Sequence, residues 1–175
     1  MGTHLCHNAI HEAGHVVIAL CYRFKVVEVA MKPHGMLATR TTFDPAKTMP
    51  YLVYGMKVAG AVAVEIHNEK YGTTDDNGFG VADDPASDAA LTAKVTTYLR
   101  AIDPTPTHLA KFEAQMRTMV RRKLCEHWTS VEVLAQEIER LTPSGVPLRA
   151  SRIGEVICLA NRAFYERIKD NLVAS

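Results

Sequence analysis

Apolar positions recur at helical spacing over residues 5–22. Ile10, Ala13, Val17 and Leu20 form a stripe that Val16 and Ala19 widen. The basic residues Arg23 and Lys25 suit the end of such a helix. The pattern then changes. Val26 to Met31 is short and β-branched and is stopped by Lys32-Pro33, Gly35 marks a turn, and Met36 to Phe43 reads as a second strand. Together they predict a small antiparallel sheet. Residues 47–70 are apolar almost all round (Leu52, Val53, Met56, Val58, Val62, Val64, Ile66), the pattern of a central, buried helix. Gly60, Ala61 and Ala63 would let another helix approach it closely. Residues 71–84 have the composition of a loop. Asp84 as N-cap and Pro85 at the first position then open a helix to about Arg100. Beyond the break at Asp103-Pro104-Thr105-Pro106, helices are predicted over Leu109–Trp128 and Ser130–Leu141. A loop follows at 143–147, and a final helix over Ala150–Leu172.

These elements sum to a mostly α domain with a small antiparallel β-sheet, an α+β class. At 175 residues the chain fits one domain. Its 47% hydrophobic and 22% charged content is that of a globular chain. Twenty Lys and Arg against 19 Asp and Glu leave a net charge of +1, which excludes a nucleic-acid binder driven by bulk charge. No apolar run approaches the roughly 18–20 residues that cross a bilayer. The opening Met-Gly-Thr-His lacks the basic and apolar blocks of a signal peptide. Cys6, Cys21, Cys125 and Cys158 are far apart, as free thiols in a reducing cytoplasm would be. The expectation is a cytoplasmic protein with neither nucleic acid nor membrane as partner.

Four of the eight histidines fall in the first fifteen residues, and the chemistry starts there. His11-Glu12-Ala13-Gly14-His15 matches H-E-x-x-H. On a helix, residues four apart lie about 40° apart on one face, so His11 and His15 can both aim a nitrogen at one metal ion. Glu12 projects beside them, where its carboxylate can hold a water and act as general base in metal-assisted hydrolysis. Ala13 and Gly14 are small enough for tight packing behind such a site, and Val16 to Leu20 would bury the other side.

A catalytic zinc usually has three protein ligands and one open position. The metzincin pattern is excluded, because Ile18 and Cys21 stand where Gly and His would be needed. Glu65, in the apolar helix, and Asp88, in the first turn of the next, are the leading candidates for the third ligand. Asp75, Asp76, Asp83 and Asp84 are loop carboxylates nearby in sequence. Spacing alone does not choose among them.

The stretch His11-Glu12-Ala13-Gly14-His15-Val16-Val17 resembles the peptidase domain of FtsH-type ATP-dependent zinc proteases, which read H-E-A-G-H followed by aliphatic residues. Val27 to Pro33 resembles the family strand after the zinc helix. Ala59 to Ile66 resembles its Gly-Gly-Arg-Ala-Ala-Glu-Glu-Leu helix, and Ala86 to Leu91 its Ala-Ser-Asn-Asp-Leu segment. Val131 to Ala135 resembles a late helix. The similarity runs along most of the chain, but only the first motif is highly specific. It implies a zincin-like helical peptidase domain over 1–175, with the metal site in 1–100 and a helical carboxyl-terminal part in 107–175. It further implies one zinc ion per chain, His11, His15 and Asp88 as ligands, Glu12 as base, and Glu65 orienting a ligand histidine. The substrate implied is a polypeptide.

The departures are informative too. The family's Asn-Asp pair is reduced to the single Asp88, and no Gly-x-x-x-x-Gly-Lys-Thr/Ser loop of an AAA+ ATPase is present. The resemblance therefore points to a stand-alone peptidase of flexible segments, or to one served by a separate ATPase partner. FtsH-type domains assemble into rings, so a homo-oligomer is a further expectation. Extended peptides often add to a sheet edge; Met36 to Thr42 is the best edge, with Leu37, Ala38 and Thr39 as the substrate-binding residues.

Two other functions compete: a regulatory protease for one dedicated partner, and a non-catalytic zinc-binding interaction domain. The intact Glu12 speaks against the latter. His7 shares the face of His11 and reads as a helix-end or ligand-supporting histidine. Cys21 and Cys158 read as small core residues. Asp75-Asp76-Asn77-Gly78 lacks the spacing of a calcium loop, and Arg121-Arg122-Lys123 reads as a solvated helix face. His127 and Trp128 read as residues packed at a helix end.

Overall fold

Two small devices shape the first helix. The computed structural model describes residues 5–31, 37–42, 49–73, 97, 100–101 and 106–172. Helix α1 spans His7–Cys21. It ends because Arg23 takes a left-handed conformation (φ 61°), a place usually given to glycine. The Arg23 and Phe24 amides then bond back to the carbonyls of Leu20 and Ala19. Phe24 and Ala19 are both buried, the apolar contact that accompanies such a stop.

The chain turns directly into β1 (Lys25–Met31) and returns as β2 (Leu37–Thr42). The pair is antiparallel, with a register shift between Val26 and Glu28. A third strand, β3 (Leu148–Arg149), pairs on the other side of β1. The order is therefore β2-β1-β3. The small antiparallel sheet was legible in the sequence, but its third strand is an addition: two residues carry no readable periodicity.

Helix α2 (Pro50–Tyr71) begins with Pro50 in its first turn and ends at Gly72, whose φ is 65°. Helix α3 spans Pro106–Glu126 and α4 Trp128–Leu141, with His127 as the joint between them. The His127 ring stacks on Phe164 at 4.0 Å. Helices α5 (Ala150–Ala160) and α6 (Arg162–Ile168) follow. The single final helix expected over Ala150–Leu172 is thus corrected to two. Asn161 leaves helical geometry, and its side chain accepts a hydrogen bond from the Phe164 amide to cap α6. Leu172 then bridges in parallel to Val26. Thr97, Arg100 and Ala101 are helical; the rest of the loop and helix expected over 71–100 lies outside the described residues, Thr73 and the end of α2 apart.

Expectation also placed 47–70 at the centre. That place belongs to α1, which touches α2, α3, α4, β1 and β2. Val16, Val17, Ile18 and Ala19 are 0% exposed. Helix α2 is buried over most of its circumference, against α1 on one side and, through Tyr54, against Phe112 and Glu113 of α3 on another. It also carries Glu65 and Glu69, which form ion pairs with Arg117 and Arg121 of α3. One hydrophobic cluster runs from Leu5 through α1, α2 and the sheet to α4, α5 and α6, so both parts of the chain share a core. No helix among the described residues is long and apolar enough to cross a membrane.

Candidate metal centre

Helices α1 and α2 run antiparallel, and the contacts between them are set by small residues. A Cβ on Gly14 would lie 2.6 Å from the Ala63 Cβ and 2.9 Å from the Ala59 carbonyl oxygen. A Cβ on Gly60 would lie 2.4 Å from Cε1 and Nδ1 of His11. Gly60 and Ala63 therefore do what the sequence suggested, with Ala59 in the role expected of Ala61. The imidazole of His11 occupies the notch that Gly60 leaves in α2.

The two motif histidines meet. Nε2 of His11 is 2.9 Å from Nε2 of His15. Nδ1 of His15 donates to the Met56 carbonyl oxygen at 2.8 Å. A carbonyl can only accept, so the proton of a neutral His15 sits on Nδ1 and the lone pair on Nε2. Burial, and then the neighbouring His15, pushes the His11 imidazole down to about 3. At neutral pH it too has a lone pair to offer. The two nitrogens are slightly closer than the ~3.3 Å they would take at a tetrahedral zinc. Small side-chain rotations would make that difference good.

Glu12 is 7% exposed. Its Oε2 accepts a hydrogen bond from the Thr39 hydroxyl at 2.6 Å. Thr39 belongs to β2, so the sheet reaches the same place as the two helices. The residues present fit a divalent cation held by His11 and His15, with a carboxylate alongside. Three observations carry that fit: convergent imidazole nitrogens, a backbone carbonyl that fixes the tautomer of one, and a glycine notch that holds the other.

Other site residues fall elsewhere. Asp88, Asp75, Asp76, Asp83 and Asp84 lie outside the described residues. Among the described residues no third His, Cys, Asp or Glu joins the pair in a metal-sized group. The Glu65 side chain is 49% exposed and its carboxylate pairs with Arg117 of α3. It stands about 140° around α2 from Gly60, which faces His11. Leu37 packs against the core from the edge strand that also carries Ala38 and Thr39. His7 lies one turn before His11, and its Nε2 is 2.9 Å from Oδ1 of Asn68, which also accepts from Thr73.

Sequence reasoning missed Met56 and the Thr39–Glu12 bond. The first acts through its backbone, so no residue type could have signalled it. The second depends on where the sheet docks. Compared with protein-family models and with curated proteins, the chain matches none at a significant level.

Proposed function

We propose that this chain is a zinc-dependent endopeptidase, cytoplasmic and similar in kind to the FtsH-type peptidase domain that its H-E-A-G-H helix resembles. The approach of the His11 and His15 nitrogens to 2.9 Å, beside a buried glutamate, carries the reading. His11 and His15 would hold the metal, with Asp88 as the third ligand. The ion-paired, solvent-facing Glu65 is the weaker claimant for that place. Bound zinc would supply a Lewis acid that polarises the scissile carbonyl and makes water acidic near neutral pH.

The chain's own groups would do the rest. Glu12 takes the proton of the attacking water on its carboxylate and hands it to the nitrogen of the departing amine as the C–N bond breaks. The hydrogen bond from His15 to the Met56 carbonyl keeps that ring from turning while this happens. The edge strand β2, alongside Glu12, offers backbone groups for an extended peptide to pair with.

Glu12→Gln tests the assignment. It should keep one zinc per chain and lower kcat on an unstructured peptide by about 10²–10⁴-fold. Purified chain without stoichiometric zinc, or a Gln variant as active as the parent, overturns it.

A further inference from the structure

Thr39 stands opposite Val29 in the β2–β1 ladder. Residues directly opposite each other in an antiparallel pair share a face, and Val29 is only 2% exposed. Thr39 therefore projects from the face of the sheet that packs on the core, and β2 is in contact with α1. Its Oγ1 lies 2.6 Å from Oε2 of Glu12 and 3.2 Å from the Glu12 carbonyl oxygen. A hydroxyl has one hydrogen to give. The shorter contact falls in the range of a charge-assisted O–H···O⁻ bond, so the hydrogen goes to the carboxylate.

The consequence is specific to this side chain. A glutamate has three rotatable bonds, and helix α1 fixes only where they begin. The threonine hydroxyl fixes where they end. Threonine is itself stiff at χ1, so the carboxylate is tied to the backbone of β2. Only Oε2 is engaged among the described residues, which leaves Oε1 to face a water. We propose that Thr39 is the positioning residue of Glu12: the edge strand that registers an extended substrate also sets the base in line with it. This rests on the hydrolase reading above and adds a residue to it. A serine keeps the bond; a valine keeps the shape and β-branching and loses the bond.

The test is a set of steady-state measurements on an unstructured fluorogenic peptide, with zinc content and Tm measured on each protein. Thr39→Val should keep one zinc per chain and a KM within about 2-fold, and should lower kcat about 10–100-fold, as a small misplacement of a reacting group does. Thr39→Ser should bring kcat back to within about 3-fold of the parent. Added to Glu12→Gln, Thr39→Val should lower kcat no further, because the two act as one unit. A Val variant with parental kcat overturns the positioning role alone. So does one that loses zinc or Tm together with kcat and is not rescued by serine, which marks a merely structural threonine. A parent chain that binds no zinc and cuts no peptide overturns the hydrolase reading, and the role of Thr39 with it.

Discussion

Helix α1 is held from two sides, and the two are built differently. Toward α2 the packing is close and chemical: Gly14 against Ala59 and Ala63, His11 against Gly60, and His15 against the Met56 carbonyl. Toward α4 the partner presents an aliphatic face of Val131, Leu134, Ala135 and Ile138, all at most 2% exposed. The first seam fixes the placement of particular atoms. The second fills volume. A change of side-chain volume on the α4 side should therefore cost stability and leave the histidines in place. A single added carbon on the α2 side should displace a ring.

The comparison can be tested at its strongest point. Leu134→Ala should destabilise the fold by about 2–5 kcal/mol in urea unfolding, while the folded fraction still takes up one zinc per chain. Loss of zinc binding in the folded variant would break the distinction. Gly60→Ala should do the reverse. Pushing the His11 ring out of its notch should weaken zinc affinity by about 10–100-fold in chelator competition, a range typical of disturbed ligand support. A variant that binds zinc like the parent would show that the notch is incidental.

Acid offers a third handle, on the α4 side. Glu137 is buried at 8% exposure and bonded to Arg140 and Arg152. The Arg140 hydrogen bond first, with Arg152 adding to it against the effect of burial, holds its carboxyl down at about 2. The folded value is below the unfolded one. The stabilisation from Glu137 is thus complete above about pH 4.5 and is lost as pH falls toward 2. Unfolding curves at pH 5 and pH 3 should converge for the parent and Glu137→Gln as the acid end is approached. Parallel curves would mean that the carboxylate is not so held. The smallest effect is expected at Glu65. Removing its exposed pair with Arg117 by Glu65→Gln should cost at most about 1 kcal/mol and leave zinc content unchanged. Zinc loss in that variant would make Glu65 the third ligand after all.

Periodicity made α1, β1, β2 and α2 readable, because each buries one face or nearly all of itself. It failed where structure rests on one polar atom or on distant partners. The apolar spacing of 150–172 runs straight through Asn161, so the break that its side chain caps is invisible to a hydrophobic pattern. Strand β3 exists because Leu148 and Arg149 find Val29 and Glu28, more than a hundred residues earlier in the chain. The histidine pair was legible because both imidazoles sit on one helix at fixed spacing. Its supports were not, since Met56 contributes a carbonyl and Thr39 arrives on a separate strand. The partner of Glu65 was hidden for the same reason: Arg117 is 52 positions away.

The α1–α2 contacts follow a common ladder. Met56 meets His15, and Gly60, one turn later, meets His11 one turn earlier. Both rungs depend on the same count of residues along α2. Inserting or deleting one residue between Met56 and Gly60 would turn the remainder of that helix by about 100° and set the two rungs out of phase with each other. Natural variation in length should therefore be absent from this stretch, while simple exchanges of amino acids on the outer surface of α2 remain permissible.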